Sequence, residues 1–320
     1  MLTGPRRRLL TASVAVLGTA ALLAGCASAA PAATGSAVET EFGEVVIPEQ
    51  IESVVVLEGR RDLDIVLALG LPLVGYPFEG PDTGIELPLP LEDELAVARE
   101  NGAEQLFLAG EIDIEAIAAA EPSIIISRGE DVEPIYAELS AIAPILPVST
   151  NDAGVTWQED LRAIAELTGT ENRAEEIIAE YDARLAEVKT THAEALAAVP
   201  VAPIGYDLEG TEVEGGRLQS VILRDLGALP SSAFAEAGTD GSLEYSPEQT
   251  LEAFGDAGAL LVFADTQEEW DAAQVDPLYA QLPAVVAGAV VRGDKMMHEG
   301  GPITAMHVLD LIDELYSNLG

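Results

Sequence analysis

The chain has very few of the residue types on which several classes of function depend. It contains one cysteine, two lysines and three histidines in 320 residues, and its 15 basic residues face 56 acidic ones. With a formal net charge of −41, it lacks the basic patches that nucleic-acid binding requires. A single cysteine excludes an internal disulfide. The three histidines are too scattered for a compact zinc or manganese site, so we expect no metal site built from side chains.

Motifs of catalysis are also missing. There is no G-x-S-x-G nucleophile elbow, no H-E-x-x-H helix and no cysteine placed as a nucleophile. We therefore expect no catalytic residues and no enzymatic activity. The alternative to a protein without enzymatic activity is a hydrolase on an α/β framework.

The N-terminus has the features of an export signal. Arg6, Arg7 and Arg8 precede an apolar stretch that is too short and too rich in small residues for a stable membrane span. The stretch ends in L-A-G-C, which resembles the bacterial lipobox with its acylated cysteine. We predict a signal peptide over 1–25, with lipid attached at Cys26. The alternative is a chance cysteine in an ordinary signal peptide.

The segment after the signal is small, polar and proline-containing, which predicts a flexible tether over 26–43. Two or more acyl chains hold a protein firmly at a bilayer. We therefore expect a protein anchored to the outer face of the cytoplasmic membrane.

Short apolar runs alternate with helical patterns through most of the remaining chain. The runs are SVVVLE, PLVGY, SIIIS, APILPV, VAPIGYD, ALLVFAD and AVVRG. Continuous apolar runs are typical of strands buried on both faces of parallel sheets. The segments between them have helical spacing and end at Gly or Pro. The sequence therefore predicts an α/β fold.

The middle of the chain shows no strand pattern. Apolar residues recur there at three- and four-residue spacing: Ala174, Ile177, Ile178, Tyr181, Leu185 and Val188. This spacing predicts a long amphipathic helix. We predict two α/β lobes, over 44–155 and 200–320, each with a mainly parallel sheet flanked by helices. A long helical connector over 156–199 joins them.

The strand pattern also selects candidate ligand-binding residues, because ligands of open α/β sheets bind beyond the carboxyl ends of the strands. The candidates follow predicted strands or lie in neighbouring loops, and most are arginine, aromatic or methionine side chains. Such side chains suit a large flat or metal-chelated ligand, since aromatics and Met supply apolar area and arginines donate to oxygen atoms. The set is Arg60, Arg61, Tyr76, Arg128, Tyr206, Arg217, Trp270, Met297 and His298.

Each candidate has an ordinary structural alternative. Tyr76 would suit half-buried packing at a strand end, and Arg217 could simply cover a loop. Arg60 and Arg61 could be a surface pair. We expect one of these two arginines, and not necessarily both, to contact ligand oxygen, because Asp62 can cap the next helix and pair with the other.

Several segments, taken in order, carry a family resemblance. They include FGEVVIPEQIESVVVLEGRRDLDIVLALGLPLVGY, IEAIAAAEPSIIIS, YAELSAIAPILPV, WQEDLRAIAELTGTENRAEEIIAEY, SPEQTLEAFGDAGALLVFAD and GPITAMHVLDLI. Together they resemble the substrate-binding lipoproteins of ABC importers for ferric siderophores, haem and cobalamin, the class with a rigid helical linker. The resemblance covers nearly the whole chain after the signal. It departs from the family at MMHEGGP, where many members have a tryptophan before Gly-Pro.

The resemblance implies a ligand held between the lobes and delivery to a permease with its ATPase. It also implies that one glutamate from each lobe docks on permease arginines, and by position these are Glu115 and Glu248. Both also suit a structural role, since a carboxylate in a first helical turn gains about 0.3–1 kcal/mol. We expect the protein to be a monomer.

The expected ligand is a ferric siderophore, which brings its iron fully coordinated and needs no protein ligands to the metal. Neutral or cationic hydroxamate or mixed types avoid the repulsion that this acidic chain exerts on catecholate and citrate complexes. Haem or cobalamin is the alternative within the same transport class. A non-transport surface lipoprotein is the alternative of another class.

Overall fold

The computed structural model of the protein describes residues 35–79, 90–149, 155–264, 266–293, 297 and 299–319. Cys26, His298 and the predicted signal peptide lie outside these residues, so the predictions made for them stay predictions. Among the helices of the described part, none is both long and apolar enough to cross a lipid bilayer.

A β-hairpin precedes the first lobe. Its strands, β1 (Gly35–Thr40) and β2 (Gly43–Pro48), pair antiparallel. Because side chains alternate along β2, Val45 and Ile47 are buried in the core. The structure differs here from the predicted tether, since residues 35–40 pair with a strand that the core holds in place.

The first lobe is built on a parallel five-stranded sheet. Its strands are β3 (Val54–Val56), β4 (Leu73–Phe78), β5 (Glu104–Leu108), β6 (Ile124–Arg128) and β7 (Ile145–Val148). They lie in the order β5-β4-β3-β6-β7, and every pair is parallel. The helices are α1 (Arg61–Ala68), α2 (Glu92–Glu100), α3 (Ile114–Ala119), α4 (Gly129–Val132) and α5 (Tyr136–Leu139). β3 and the isoleucines of β6 are fully buried, as continuous apolar strands predict.

Three helices connect this lobe to the second: α6 (Trp157–Thr168), α7 (Glu171–Thr191) and α8 (Ala193–Ala198). A capping box formed by Thr156 and Glu159 begins α6. Gly169 ends it with φ at +70°, a left-handed conformation that favours glycine. The apolar face predicted for α7 is buried, except that Leu185 is only partly buried.

The second lobe has a mixed five-stranded sheet. Its strands are β8 (Val201–Tyr206), β9 (Thr211–Glu214), β10 (Ser242–Tyr245), β11 (Ala259–Ala264) and β12 (Val290–Gly293). In the order β10-β9-β8-β11-β12, the last three strands are parallel, and β9 and β10 run antiparallel to their neighbours. The helices are α9 (Leu218–Leu226), α10 (Ser232–Ala237), α11 (Thr250–Ala253), α12 (Gln267–Val275), α13 (Pro283–Ala287) and α14 (Pro302–Ser317).

The last helix, α14, ties the parts together. It packs against β12 and α9 of the second lobe, α7 of the connector and α1 of the first lobe. Seven described strands match the seven apolar runs, and the predicted α/β class with two mainly parallel sheets is confirmed. The strands β5, β9 and β10 were not predicted, because EQLFL, TEVE and SLEY are polar or short.

Candidate functional site

The loop between β3 and α1 is organised by one buried carboxylate. Asp62 is fully buried, and its two oxygens accept five backbone N–H groups at 2.7–3.2 Å. The donors are Leu57, Glu58, Gly59, Arg60 and Leu63. Asp62 therefore serves the backbone of this loop, and the loop holds the two neighbouring arginines in different directions.

The two adjacent arginines have different surroundings. Arg61 is 3% exposed, and its Nη1 lies 3.0 Å from Asp160 of the connector. The same nitrogen donates to the carbonyls of Ser149 and Val155. Arg60 is partly exposed and turns to the other lobe, where its Nη1 donates to Glu299 at 2.8 Å. Its position makes Arg60 the better candidate for a ligand contact.

Three arginines from the two lobes converge on one carboxylate. Arg60 and Arg128 of the first lobe lie 2.8 and 3.4 Å from Oε2 of Glu299, and Arg217 of the second lobe lies 2.7 Å from Oε1. We call these four residues the arginine cluster. Its side chains are 19–26% exposed, so the cluster lies at the interlobe cleft rather than in the core.

The position of Glu299 is set from the first lobe. Two residues further on, the N–H of Gly301 donates to Asp64 of α1 at 2.9 Å, and the N–H groups of Ile303 and Thr304 donate to the same carboxylate. Asp64 is fully buried and satisfies donors that the start of α14 would otherwise leave unpaired. The start of α1 and the loop before it therefore position both Arg60 and Glu299, the carboxylate with which it pairs.

The arginines of the cluster are accompanied by further acids. Arg128 also lies within 3.3 Å of Glu58 and Glu130 and 3.0 Å of Asp131, and Arg217 pairs with Glu214. Burial, followed by the neighbouring charge of Asp62, raises the pKa of Glu58 well above its ordinary value. Acids therefore compensate the positive charge of the cluster.

A cavity of about 460 Å³ adjoins the cluster on the second lobe. It is lined by Arg217, by the ends of β8 and by polar side chains of β9 and β10. Five carboxylates and one guanidinium face it. Tyr206 supplies part of its wall, and burial with Asp276 nearby raises the pKa of that phenol.

Residues 105–296, more than half of the chain, match the family model described as periplasmic binding protein. The chain belongs to the periplasmic binding protein family. Family membership confirms the predicted resemblance and the expectation that the chain binds a substrate rather than converting it.

Alignments of this periplasmic binding protein with its relatives span much of its length. The ferric enterobactin-binding periplasmic protein FepB of Escherichia coli is 31% identical over 69% of this chain and 71% of its own. The iron(3+)-hydroxamate-binding protein FhuD of Bacillus subtilis is 26% identical over 96% and 94%. Among solved structures, the siderophore periplasmic binding protein from the fuscachelin gene cluster of Thermobifida fusca aligns with a TM-score of 0.67 at 26% identity. This alignment covers 85% of this chain and 98% of the solved one.

Three predicted ligand residues of this periplasmic binding protein lie in its interior. Arg61 is in its buried ion pair, and Tyr76 and Met297 are each 2% exposed within the core. Arg99 donates to the hydroxyl of Tyr76 at 2.7 Å. A ligand could reach these side chains only if the core opened.

Trp270 is partly buried on α12, where the guanidinium of Arg292 lies 5.5 Å from its ring. The two predicted docking glutamates, Glu115 and Glu248, are exposed in the first turns of helical segments. Ser246 and Gln249 form a capping box around Glu248. Exposure and helix capping thus coexist at these positions.

Sequence reasoning missed the acids of the site. Glu299, Glu58 and Glu214 look like any others among 56 acidic residues, and no spacing distinguishes them. The alternation in TEVE, with Thr211 and Val213 buried, is the pattern of β9, but four residues are too few to distinguish it from a loop.

Proposed function

We propose that this protein captures a ferric siderophore between its two lobes and delivers it to an ABC permease. The observation that carries the proposal is the arginine cluster, in which guanidinium groups from both lobes point at one pair of oxygen atoms. A ligand that replaces Glu299 at these donors would bridge the lobes as the carboxylate does.

The chemistry of the cluster suits a chelate rather than a bare cation. Arginine donates hydrogen bonds through a rigid fork, remains charged and cannot coordinate a metal. Its partners are therefore the oxygen atoms that surround an iron already wrapped in an organic ligand.

The charges favour a hydroxamate or mixed-type siderophore. Asp131, Glu214 and Glu299 place three carboxylates beside the three arginines, so the cluster carries no uncompensated positive charge for a strongly anionic complex. A triscatecholate complex would meet these acids in a site of low dielectric, where like charges repel strongly. A neutral or cationic complex meets no such cost.

The relatives support a siderophore as the class of ligand. The two curated relatives with long alignments are described as binding ferric enterobactin and iron(3+)-hydroxamate, and the fuscachelin-cluster protein as siderophore-binding. These descriptions cover both catecholate and hydroxamate chemistry, so the choice between them rests on the charges in the cleft.

A titration of intrinsic tryptophan fluorescence tests the proposal. The chain has two tryptophans, and ferric chelates absorb light where tryptophan emits. A ferric trihydroxamate, a ferric triscatecholate, haem and cobalamin would be titrated separately, with the iron-free trihydroxamate as control. We expect saturable quenching by the ferric trihydroxamate and weaker binding of the triscatecholate. Quenching by neither ferric siderophore complex would reject the proposal, even if haem or cobalamin bound.

We propose further that Glu115 and Glu248 dock on the permease. Both are exposed, which leaves them accessible to a partner, and exposed charge pairs across an interface favour association. The double variant Glu115→Arg with Glu248→Arg should bind ligand normally and support no uptake by cells.

The matched control for docking reverses two exposed glutamates of the connector, Glu180→Arg with Glu194→Arg, which makes the same change in net charge. Uptake should persist in the control. Equal uptake by both double variants would show that the proposed glutamates do not dock.

Lipid attachment at Cys26 belongs to the same proposal, since a tethered receptor stays near its permease. The variant Cys26→Ser should move the protein from the membrane fraction to the medium. Membrane retention of that variant would argue against the anchor.

A further inference from the structure

The cavity beside the arginine cluster has a wall of hydrogen-bond acceptors. Alternation along β9 buries Thr211 and Val213 and directs Glu212 and Glu214 to the opposite face. On the next strand, Glu244 faces the same cavity. We call Glu212, Glu214, Glu244 and Gln219 the acceptor wall.

Two of these acids are direct cross-strand neighbours. Glu212 pairs in register with Glu244 of β10, an arrangement in which like charges are destabilising. Burial, followed by the charge of Glu214, raises the pKa of Glu212. Glu214 is paired with Arg217, whereas no ion pair or side-chain hydrogen bond of Glu212 occurs within the described part of the chain.

Glycine on β8 makes room for this arrangement. Gly205 lies opposite Glu212 in the sheet, and a Cβ at that position would lie 2.6 Å from the Cγ of Glu212. A side chain there would force the carboxylate away from the sheet. The lack of one lets the Glu212 side chain lie across the strand toward the cavity.

The side-chain oxygen of Gln219 is an independent observation, because it is a hydrogen-bond acceptor that lacks a donor. The Gln219 side chain lines the same cavity and the residue is only 6% exposed. Its Oε1 is buried and accepts no hydrogen bond from the described residues. A buried acceptor without a donor is unfavourable, and a donor that enters the cavity would recover that cost.

We propose that the acceptor wall binds a pendant primary ammonium group of the ligand while the arginine cluster holds the oxygen atoms of its iron chelate. The inference rests on the proposed function and narrows it to ferric siderophores that carry a cationic N–H donor. An ammonium group has three donors and one positive charge. It can therefore serve Glu212, Glu244 and Gln219 together and relieve the repulsion between the two glutamates.

A metal ion fits this wall less well than an ammonium. Among the described residues, no group of three or more His, Cys, Asp or Glu side chains is arranged to hold one. The rings of Tyr206 and Tyr245 also line the cavity, and aromatic faces attract organic cations.

The test compares two ferric complexes that differ only at the pendant group. One is a linear ferric trihydroxamate with a free primary ammonium, and the other is its N-acetylated derivative. We expect the ammonium form to bind about tenfold more tightly, as a charge-assisted hydrogen bond in a partly buried site predicts. The dissociation constants come from fluorescence quenching at fixed ionic strength.

Two isosteric variants test whether the preference for the ammonium form depends on Glu212. Glu212→Gln should reduce the preference for the ammonium form to about twofold or less, which removes most of the tenfold difference. Glu252→Gln, on an exposed acid of α11 outside the cavity, makes the same charge change and should retain the full preference. If Glu212→Gln fails to fold, Glu244→Gln on the edge strand takes its place.

The outcomes separate the inference from the function on which it rests. Equal affinity for the two complexes would overturn the ammonium site and leave siderophore binding intact. A preference that survives both Glu212→Gln and Glu244→Gln would also overturn it. Binding of neither ferric complex would instead reject the proposed function.

Discussion

Two sets of charged side chains hold the first lobe against the rest of the protein, and they differ in the groups that they pair with. The first, which we call the tie, consists of Arg61 with Asp160 of the connector and of Asp64 with the start of α14 in the second lobe. The second is the arginine cluster around Glu299. Side chains of the Arg61–Asp160 pair are 4% and 7% exposed, whereas those of the cluster are 19–26% exposed.

The difference lies in the partners as well as in the burial. The carboxylate of Asp64 accepts backbone N–H groups, and Arg61 donates to backbone carbonyls. A ligand cannot replace backbone partners without unfolding the local structure. The arginines of the cluster instead meet side-chain carboxylates that can rotate away. The same functional groups thus hold the structure together in one place, whereas in the proposed ligand site they would be exchangeable for a ligand.

The largest decrease in the free energy of unfolding is expected from Arg61→Ala. It would leave Asp160 buried without its partner, and breaking a buried pair costs about 3–5 kcal/mol. Arg60→Ala, its matched neighbour, should lower the free energy of unfolding by less than about 1 kcal/mol, since its pair is partly exposed. Urea unfolding measures both. Equal losses from the two substitutions would remove the distinction between the tie and the cluster.

A smaller decrease in the free energy of unfolding is expected from Asp64→Ala. Three backbone N–H groups at the start of α14 would lose their acceptor, and loss of a cap together with unsatisfied donors costs about 2–3 kcal/mol. Asp64→Asn keeps one acceptor oxygen and should lose less. If the alanine variant unfolds at the same urea concentration as the wild type, Asp64 does not tie the lobes.

Glu299→Gln tests exchangeability within the cluster. The three arginines would lose their shared negative partner, so the affinity for a ferric triscatecholate should rise about tenfold, which corresponds to about 1.4 kcal/mol. Stability should change by less than about 1 kcal/mol because the side chain is partly exposed. Titration with a neutral ferric trihydroxamate serves as the control. An unchanged affinity for the anionic complex would mean that Glu299 does not select ligand charge.

The last prediction is a dependence of stability on pH and concerns Glu58, a cleft acid whose two oxygens accept no hydrogen bond from the described residues. Its pKa is raised in the folded protein, so the folded state holds the proton more tightly than the unfolded state does. The free energy of unfolding should therefore fall as pH rises from about 4.3 to the folded pKa, by at most about 1.4 kcal/mol per unit. Glu58→Gln should flatten that slope in a pH series of urea unfolding. A slope unchanged by the substitution would contradict the assignment.

Much of the architecture followed from local patterns. Continuous apolar runs identified seven strands, and apolar residues at helical spacing identified the connector. The short polar strands β9 and β10 were not found, because four residues carry too little periodicity to separate a strand from a loop. The three glutamates of the acceptor wall lie on those two strands. The part of the site that the sequence did not reveal therefore lies on the strands with the weakest sequence pattern.

For the candidate site, the sequence identified three of the four members of the arginine cluster but not their common partner. An arginine is conspicuous in a chain with few basic residues, whereas a glutamate among 56 acids is not. Of the candidates that proved to be buried, Tyr76 lies within β4 and Met297 follows β12, positions like those of the candidates that reach the cleft. Position after a strand does not tell whether a side chain turns toward the cleft or toward the core.

The segment R-R-D-L-D shows where local information ends. Its spacing and its place after an apolar run were enough to indicate a strand, a loop and a helix, because these depend on neighbouring residues. The four charged side chains then take separate partners: Glu299, Asp160, the backbone of their own loop and the start of α14. Arg60 meets its carboxylate 239 positions away. Only the tertiary structure could decide these roles, since they depend on which distant groups each side chain meets and on how completely water is excluded there.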